Sequence, residues 1–233
     1  MHIFYIIIVL FSFCKGEFIL KETLSQKRAR ILQILSVFEE VYPDADCTLD
    51  FKNPLELLIA TQLAAQCTDA RVNQVTPRLF QKYPDVYAFA YADELELQED
   101  IRSTGFFRNK ARNIIGCCRM LIDEFEGEVP RSMEELLRLP GVGRKTANLV
   151  LGDCFDTPGI VVDTHATRLS NRMGFTTHKD PYKIELDLQK VVPQPRWAEF
   201  CHQLVNHGRA YCMARKPDCD NCPLNHLCPK KGV

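Results

Sequence analysis

The 233-residue chain predicts an all-α fold, on three observations. Apolar residues recur at helical spacing along most of its length. Helix-start pairs of a capping residue followed by proline or an apolar run recur as well. No stretch of alternating polar and apolar residues is long enough to build a sheet; Ile160-Val161-Val162 is too short. Apolar residues make up 46 % of the chain, enough for a real core and too many for a disordered one.

The elements follow in order. Ile31, Leu32, Ile34, Leu35 and Phe38 mark one face of a first helix. Asn53-Pro54 supplies an N-cap and first turn for an apolar helix running to about Gln66. Thr76-Pro77 predicts a helix restart in the same way. Residues 108–125 set basic residues against an apolar face. Met133–Leu139 and Lys145–Phe155 are two helical arms around the turn Pro140-Gly141-Val142-Gly143. Asp163 caps a helix through Arg172. Helices over 181–191 and 196–206 complete the set. There is no internal repeat and no low-complexity linker.

The segment Met1–Phe13 is almost wholly apolar. It is too short to span a bilayer as a helix, which takes about 20 residues. It lacks the basic start and small-residue cleavage site of a signal peptide. We read residues 1–16 as a tail outside the working fold, produced by an upstream start, and place the protein in the cytoplasm.

The net charge of −1 argues mildly against a nucleic-acid binder. Its distribution argues the other way. Arg102, Arg108, Lys110, Arg112 and Arg119 form a run without an acid, whereas acids cluster at 93–100 and 123–128. A basic face on a neutral protein fits both facts.

Of the 11 cysteines, Cys14, Cys47, Cys67, Cys117, Cys118, Cys154 and Cys201 are scattered in apolar surroundings and read as buried thiols. Cys212, Cys219, Cys222 and Cys228 have the spacing C-x6-C-x2-C-x5-C. An odd total with seven strays suits a reducing compartment and one metal site rather than a disulfide framework. Four clustered thiolates hold Zn²⁺ or an iron–sulfur centre, and spacing alone does not choose between them. His226 is a further donor in the same loop, though a lone loop histidine is more often simply solvated. The plain role of such a site is to staple a chain end with too little core of its own.

The turn at Gly141-Val142-Gly143 exposes backbone N–H groups at a helix start, which suits one phosphate of a nucleic-acid backbone. Lys145 follows inside the new helix. Its amine is either a phosphate contact or a nucleophile. The helix start and the neighbouring Arg144 both disfavour an ammonium there. Asp163 is either a plain helix cap or a cap with one oxygen left for a substrate; a developing cation at a sugar carbon needs such an anion.

The run Leu139-Pro140-Gly141-Val142-Gly143-Arg144-Lys145-Thr146-Ala147-Asn148, then Val162-Asp163-Thr164-His165, then the four-cysteine spacing, resembles endonuclease III. That family comprises bifunctional DNA glycosylases and abasic-site lyases of the helix-hairpin-helix superfamily. The resemblance runs from about Lys21 to the C-terminus. It implies the helix-hairpin-helix DNA glycosylase fold in two helical domains. One is a six-helix domain over 47–157. The other is formed by 17–46 with 158–233, and carries a [4Fe–4S] cluster in the loop 212–228. By the family pattern Cys212, Cys219, Cys222 and Cys228 hold the cluster, Lys145 is the nucleophile and Asp163 the essential carboxylate.

The same resemblance gives roles to further positions. Gln66, in Leu63-Ala64-Ala65-Gln66-Cys67-Thr68-Asp69, would fill the gap left by an extruded base; its plain alternative is a polar helix C-terminus. Phe106, in Gly105-Phe106-Phe107-Arg108-Asn109-Lys110, would wedge into the duplex; its alternative is a core phenylalanine. Gly141, Gly143, Arg144 and His165 would contact DNA. Ala64 stands where the family usually has serine, and Cys67 is also unusual; both bear on base preference.

The implied activity is removal of oxidised pyrimidines from damaged double-stranded DNA, followed by strand cleavage on the 3′ side of the baseless sugar. The implied partner is DNA, with no membrane and no small-molecule substrate, and the chain is expected to act as a monomer. Rival readings are a monofunctional adenine or mismatch glycosylase, which usually lacks a lysine at position 145, a non-catalytic iron–sulfur DNA-binding protein, and a zinc-stapled helical module.

Overall fold

The computed structural model describes residues 22–233; the expected tail at 1–16 lies outside them. The described residues are helical and contain no strand. Helix α1 (Leu24–Val41) begins in a capping box between Thr23 and Gln26. Helix α2 (Pro54–Leu63) is capped by Asn53 with Pro54 in its first turn. It ends earlier than the sequence predicts, and the chain then turns through Ala64–Cys67.

Helix α3 (Asp69–Lys82) corrects the expected restart at Thr76-Pro77. Thr68 caps it, and Pro77 lies inside. The helix runs through because Val72, Thr76 and Leu79 are all buried on one stripe, while Pro77 sits on the exposed side. Two short helices were not foreseen, α4 (Val86–Ala90) and α5 (Glu94–Asp100), capped by Asp85 and Asp93. At five and seven residues they carry too few turns for a periodic signal. A 3-10 turn at Arg102–Thr104 leads into α6 (Phe107–Phe125).

The two arms of the glycine turn are α7 (Met133–Leu136), shorter than expected, and α8 (Arg144–Phe155). Helices α9 (Thr164–Arg172), α10 (Pro181–Gln189) and α11 (Trp197–Ala210) follow, and a loop carries the chain from Cys212 to its end.

Two hydrophobic cores result. One gathers α2 to α8, from Leu49 to Leu151. The other gathers Ile31, Ile34, Leu35 and Phe38 of α1 with α9–α11 and Leu224 of the cysteine loop. Chain segments from both ends of the sequence thus share one core. The two cores meet where α8 packs on α11; a Cβ on Gly152 would sit 3.3 Å from that of Ala198.

The basic run does not form one uniform face. Arg102, Arg108, Arg112 and Arg119 are exposed, but Lys110 is buried.

Candidate active site

The glycine turn is seated by its apolar residues. Leu139 and Val142 are buried, and the Val142 N–H donates to the Leu139 carbonyl at 3.1 Å. Gly141 has φ +76°, and a Cβ there would lie 2.6 Å from Gln62 Oε1 and 2.8 Å from Asn113 Cβ. Only glycine fits both the backbone conformation and the space. Gly143 caps α8 without any side-chain acceptor, so the first N–H groups of that helix are left for an outside anion.

Arg144 is among the expected DNA contacts. Its guanidinium is held bidentate by buried Glu185 of α10, at 2.6 and 2.8 Å, and lies 4.7 Å from the Tyr182 ring centroid. The charge next to Lys145 is therefore matched, and the side chain ties the hairpin helix to the other core.

Lys145 is exposed and Asp163 half-buried, and both line one cavity of about 810 Å³ between the two cores. Asp163 Oδ1 accepts from the Ala166 N–H at 2.7 Å, the expected cap. The other oxygen makes no hydrogen bond among the described residues, so the carboxylate caps and still offers an acceptor. His165 also lines the cavity. Its Nδ1 lies 3.1 Å from Arg168 Nη2, and burial, set against the Asp163 carboxylate, holds its pKa below the ordinary value.

Gln66 stands at the rim of the same cavity, exposed, with φ +53°. It is not a helix C-terminal residue, since α2 has ended three residues earlier. Phe106 is 61 % exposed with φ +48°, so it is not a core phenylalanine. Both are bulky residues in a left-handed conformation, which costs about 1–2 kcal/mol each.

Sequence reasoning missed several residues here. Cys47 lines the cavity beside Ala64 and Cys67, the two positions expected to bear on base preference; the two thiols are half-buried rather than core. His202 lines it too and pairs with Asp153 of α8 across the core boundary, Nε2 to Oδ1 at 3.1 Å. Burial against Asp153 pushes the Cys47 thiol up to about 12. Arg209 meets Asp69 at 3.1 Å over the mouth. None of these pairs has a sequence spacing that signals contact.

Cys212, Cys219, Cys222 and Cys228 line a second, separate cavity. Their sulfurs face donors: Arg172 Nη1 lies 3.2 Å from Cys212 Sγ, and the Lys230 N–H 3.4 Å from Cys228 Sγ. His207 Nε2 lies 3.4 Å from Cys222 Sγ. Arg172 also donates to the Met213 and Ala214 carbonyls at 2.7 and 3.1 Å. Four thiols, three of them with a nitrogen donor beside the sulfur, fit the donor set that an iron–sulfur cluster requires. His226 is exposed and does not line this cavity.

Comparison with known proteins agrees with this geometry. Residues 59–194 match the family model of the HhH-GPD superfamily of base excision DNA repair proteins, and residues 212–228 that of the iron-sulfur binding domain of endonuclease III. Endonuclease III of Synechocystis is 56 % identical over 207 residues, 88 % of this chain and 94 % of that protein. Two solved structures, a non-covalent endonuclease III–DNA complex and a trapped endonuclease III–DNA covalent intermediate, are each 48 % identical with a TM-score of 0.83. They cover 87 % of this chain and 95 % and 96 % of theirs. The chain belongs to the endonuclease III family, helix-hairpin-helix DNA glycosylases and abasic-site lyases that carry an iron–sulfur cluster.

Proposed function

We propose that Lys145 is the nucleophile and Asp163 the charge-stabilising carboxylate of this base-excision enzyme, and that the cavity they share receives the extruded base of a damaged duplex. The supporting observation is their common lining of that cavity, with one Asp163 oxygen unused. A base inside a duplex is out of reach, so it must leave the stack. Gln66 and Phe106, exposed on two left-handed turns, enter the duplex and hold the gap open. The N–H groups behind Gly143 take a backbone phosphate; Gly141 shapes that turn, Arg144 contributes through its backbone, and His165 lies beside the opened strand.

The chemistry balances without a metal. Once it has given up a proton, the Lys145 amine bonds to C1′; the C1′–N bond breaks with its electron pair leaving on the base, which takes up the proton that the attacking nitrogen sheds. The ring opens to a Schiff base, with Asp163 facing the positive charge. Loss of a C2′ proton then expels the 3′ phosphate by β-elimination, and water releases the lysine. The [4Fe–4S] cluster is bound by Cys212, Cys219, Cys222 and Cys228 and contributes structure.

The DNA lies in the cleft between a unit of residues 47–157 and one formed by 17–46 with 158–233. The protein acts as a monomer in the cytoplasm, on the nucleoid in a bacterium. No described helix is long and apolar enough to cross a membrane. Ala64 and Cys67 face the base and bear on which oxidised pyrimidine is preferred.

The test is borohydride trapping on a duplex with one oxidised pyrimidine. The wild type forms a covalent adduct and nicks the strand; Lys145→Gln forms none and still binds. Trapping by the variant would refute the assignment, and base release without any wild-type adduct would favour the monofunctional reading.

A further inference from the structure

Lys110 is the one basic residue of its run that the solvent does not reach, at 5 % exposure. Its Nζ donates to the Leu63 carbonyl at 2.7 Å and to the Thr104 carbonyl at 2.8 Å. No carboxylate pairs with it among the described residues; the only titratable group acting on it is the Cys67 thiol. Burial accordingly lowers its pKa. An ammonium kept inside a protein on two neutral carbonyls is a costly arrangement, several kcal/mol before its hydrogen bonds are counted. A methionine or leucine would fill the same space without that cost.

What the ammonium joins explains it. Leu63 ends α2, and three residues later Gln66 turns left-handed. Thr104 ends the 3-10 turn, and two residues later Phe106 does the same. The Lys110 N–H also donates to the Phe106 carbonyl at 3.1 Å. One side chain therefore bonds the segment before each prong, and its own backbone holds the second prong directly. Gln66 and Phe106 are 40 positions apart in sequence and stand on two turns of positive φ, carried by elements that share one core.

We propose that Lys110 is a positioning residue that locks the Gln66 turn and the Phe106 turn into one two-pronged element, so that both side chains enter a damaged duplex at a fixed separation. This rests on the reading of Gln66 and Phe106 as inserting residues. Lys110 touches neither DNA nor the reacting sugar; it acts through the two turns. A misplacement of about 1 Å at such a point slows a step by up to about 100-fold.

The experiment follows extrusion by the fluorescence of 2-aminopurine beside an oxidised pyrimidine, with the iron-loaded full chain. Lys110→Met slows the fluorescence change about 10-fold or more, whereas a single-stranded lesion or baseless site, which needs no extrusion, is cleaved at the wild-type rate. Gln66→Ala and Phe106→Ala each slow extrusion in the wild type but add nothing once Lys110 is methionine, because the prongs are already out of register. Lys110→Arg, which keeps a charged donor for the carbonyls, recovers part of the rate. Should Lys110→Met fail to fold, Lys110→Gln, which reaches one carbonyl, must show the same loss of additivity. Effects that simply multiply, or an equal loss on the single strand, overturn the role of the lysine while leaving the insertion reading intact. If neither Gln66→Ala nor Phe106→Ala slows extrusion in the wild type, the insertion reading falls, and the proposal with it.

Discussion

Replacing Phe106 with glycine should leave the stability of the protein nearly unchanged and make it less active. The backbone sits at φ +48°, and relief of the left-handed cost at this residue gains about 1–2 kcal/mol. The side chain is 61 % exposed. Loss of its buried part costs about 0.6–1.2 kcal/mol, two-fifths of the value for a fully buried phenylalanine. The extra freedom of glycine in the unfolded chain takes back about 0.4–1 kcal/mol. The net lies within about 1 kcal/mol of zero, or within about 4 °C in melting temperature for a chain of this length. The same change removes the wedge. A phenylalanine fully buried between bases is worth about 1.5–3 kcal/mol of apolar transfer, so extrusion from an intact duplex should slow by about 10- to 100-fold. Thermal melting of the iron-loaded protein gives the first number, and single-turnover cleavage of duplex against single-stranded lesion gives the second. A fall well beyond about 4 °C with unchanged duplex cleavage would refute both halves, because it would make Phe106 a packing residue.

Three further changes separate support from chemistry. Asp163→Asn keeps an acceptor for the Ala166 N–H, so melting and DNA affinity should hold while base release slows; a parallel loss of binding measured by fluorescence anisotropy would make the residue structural. Glu185→Gln removes the charge facing Arg144, whose side chain is 38 % exposed. A fully buried pair broken this way costs about 3–5 kcal/mol, and partial exposure reduces that to about 1–2 kcal/mol, read as a fall of about 2–8 °C in melting; an unchanged melting point would show that the pair does not join the cores. Gly141→Ala drives a Cβ into Gln62 and Asn113 at a backbone angle alanine resists. It should cost about 1–3 kcal/mol and abolish tight DNA binding in a filter assay; full affinity would mean the turn is not a phosphate site.

Features set by local rules were legible. Gly141 and Gly143 around Val142, Asp163 before Thr164 and the cysteine spacing each state a conformation or a donor set within a few residues. Pro77 misled because proline reads as a helix start, and a buried stripe of Val72, Thr76 and Leu79 overrides it. What stayed hidden depends on partners distant in sequence. Arg144 and Lys110 look alike beside the other basic residues, two cations ready for phosphate. Glu185, 41 positions away, takes the first, and Leu63, 47 positions away, takes the second. A positive charge in a sequence tells what a residue can attract, and only packing tells whether that attraction has been spent inside the fold. Both cations are spent on the scaffold: Arg144 ties α8, which starts at the glycine turn, to Glu185 of α10, and Lys110 bonds the segments before the turns that carry Gln66 and Phe106. Under the proposed function, the exposed side chains of Lys145, Gln66 and Phe106 meet the duplex while these two cations hold the elements around them.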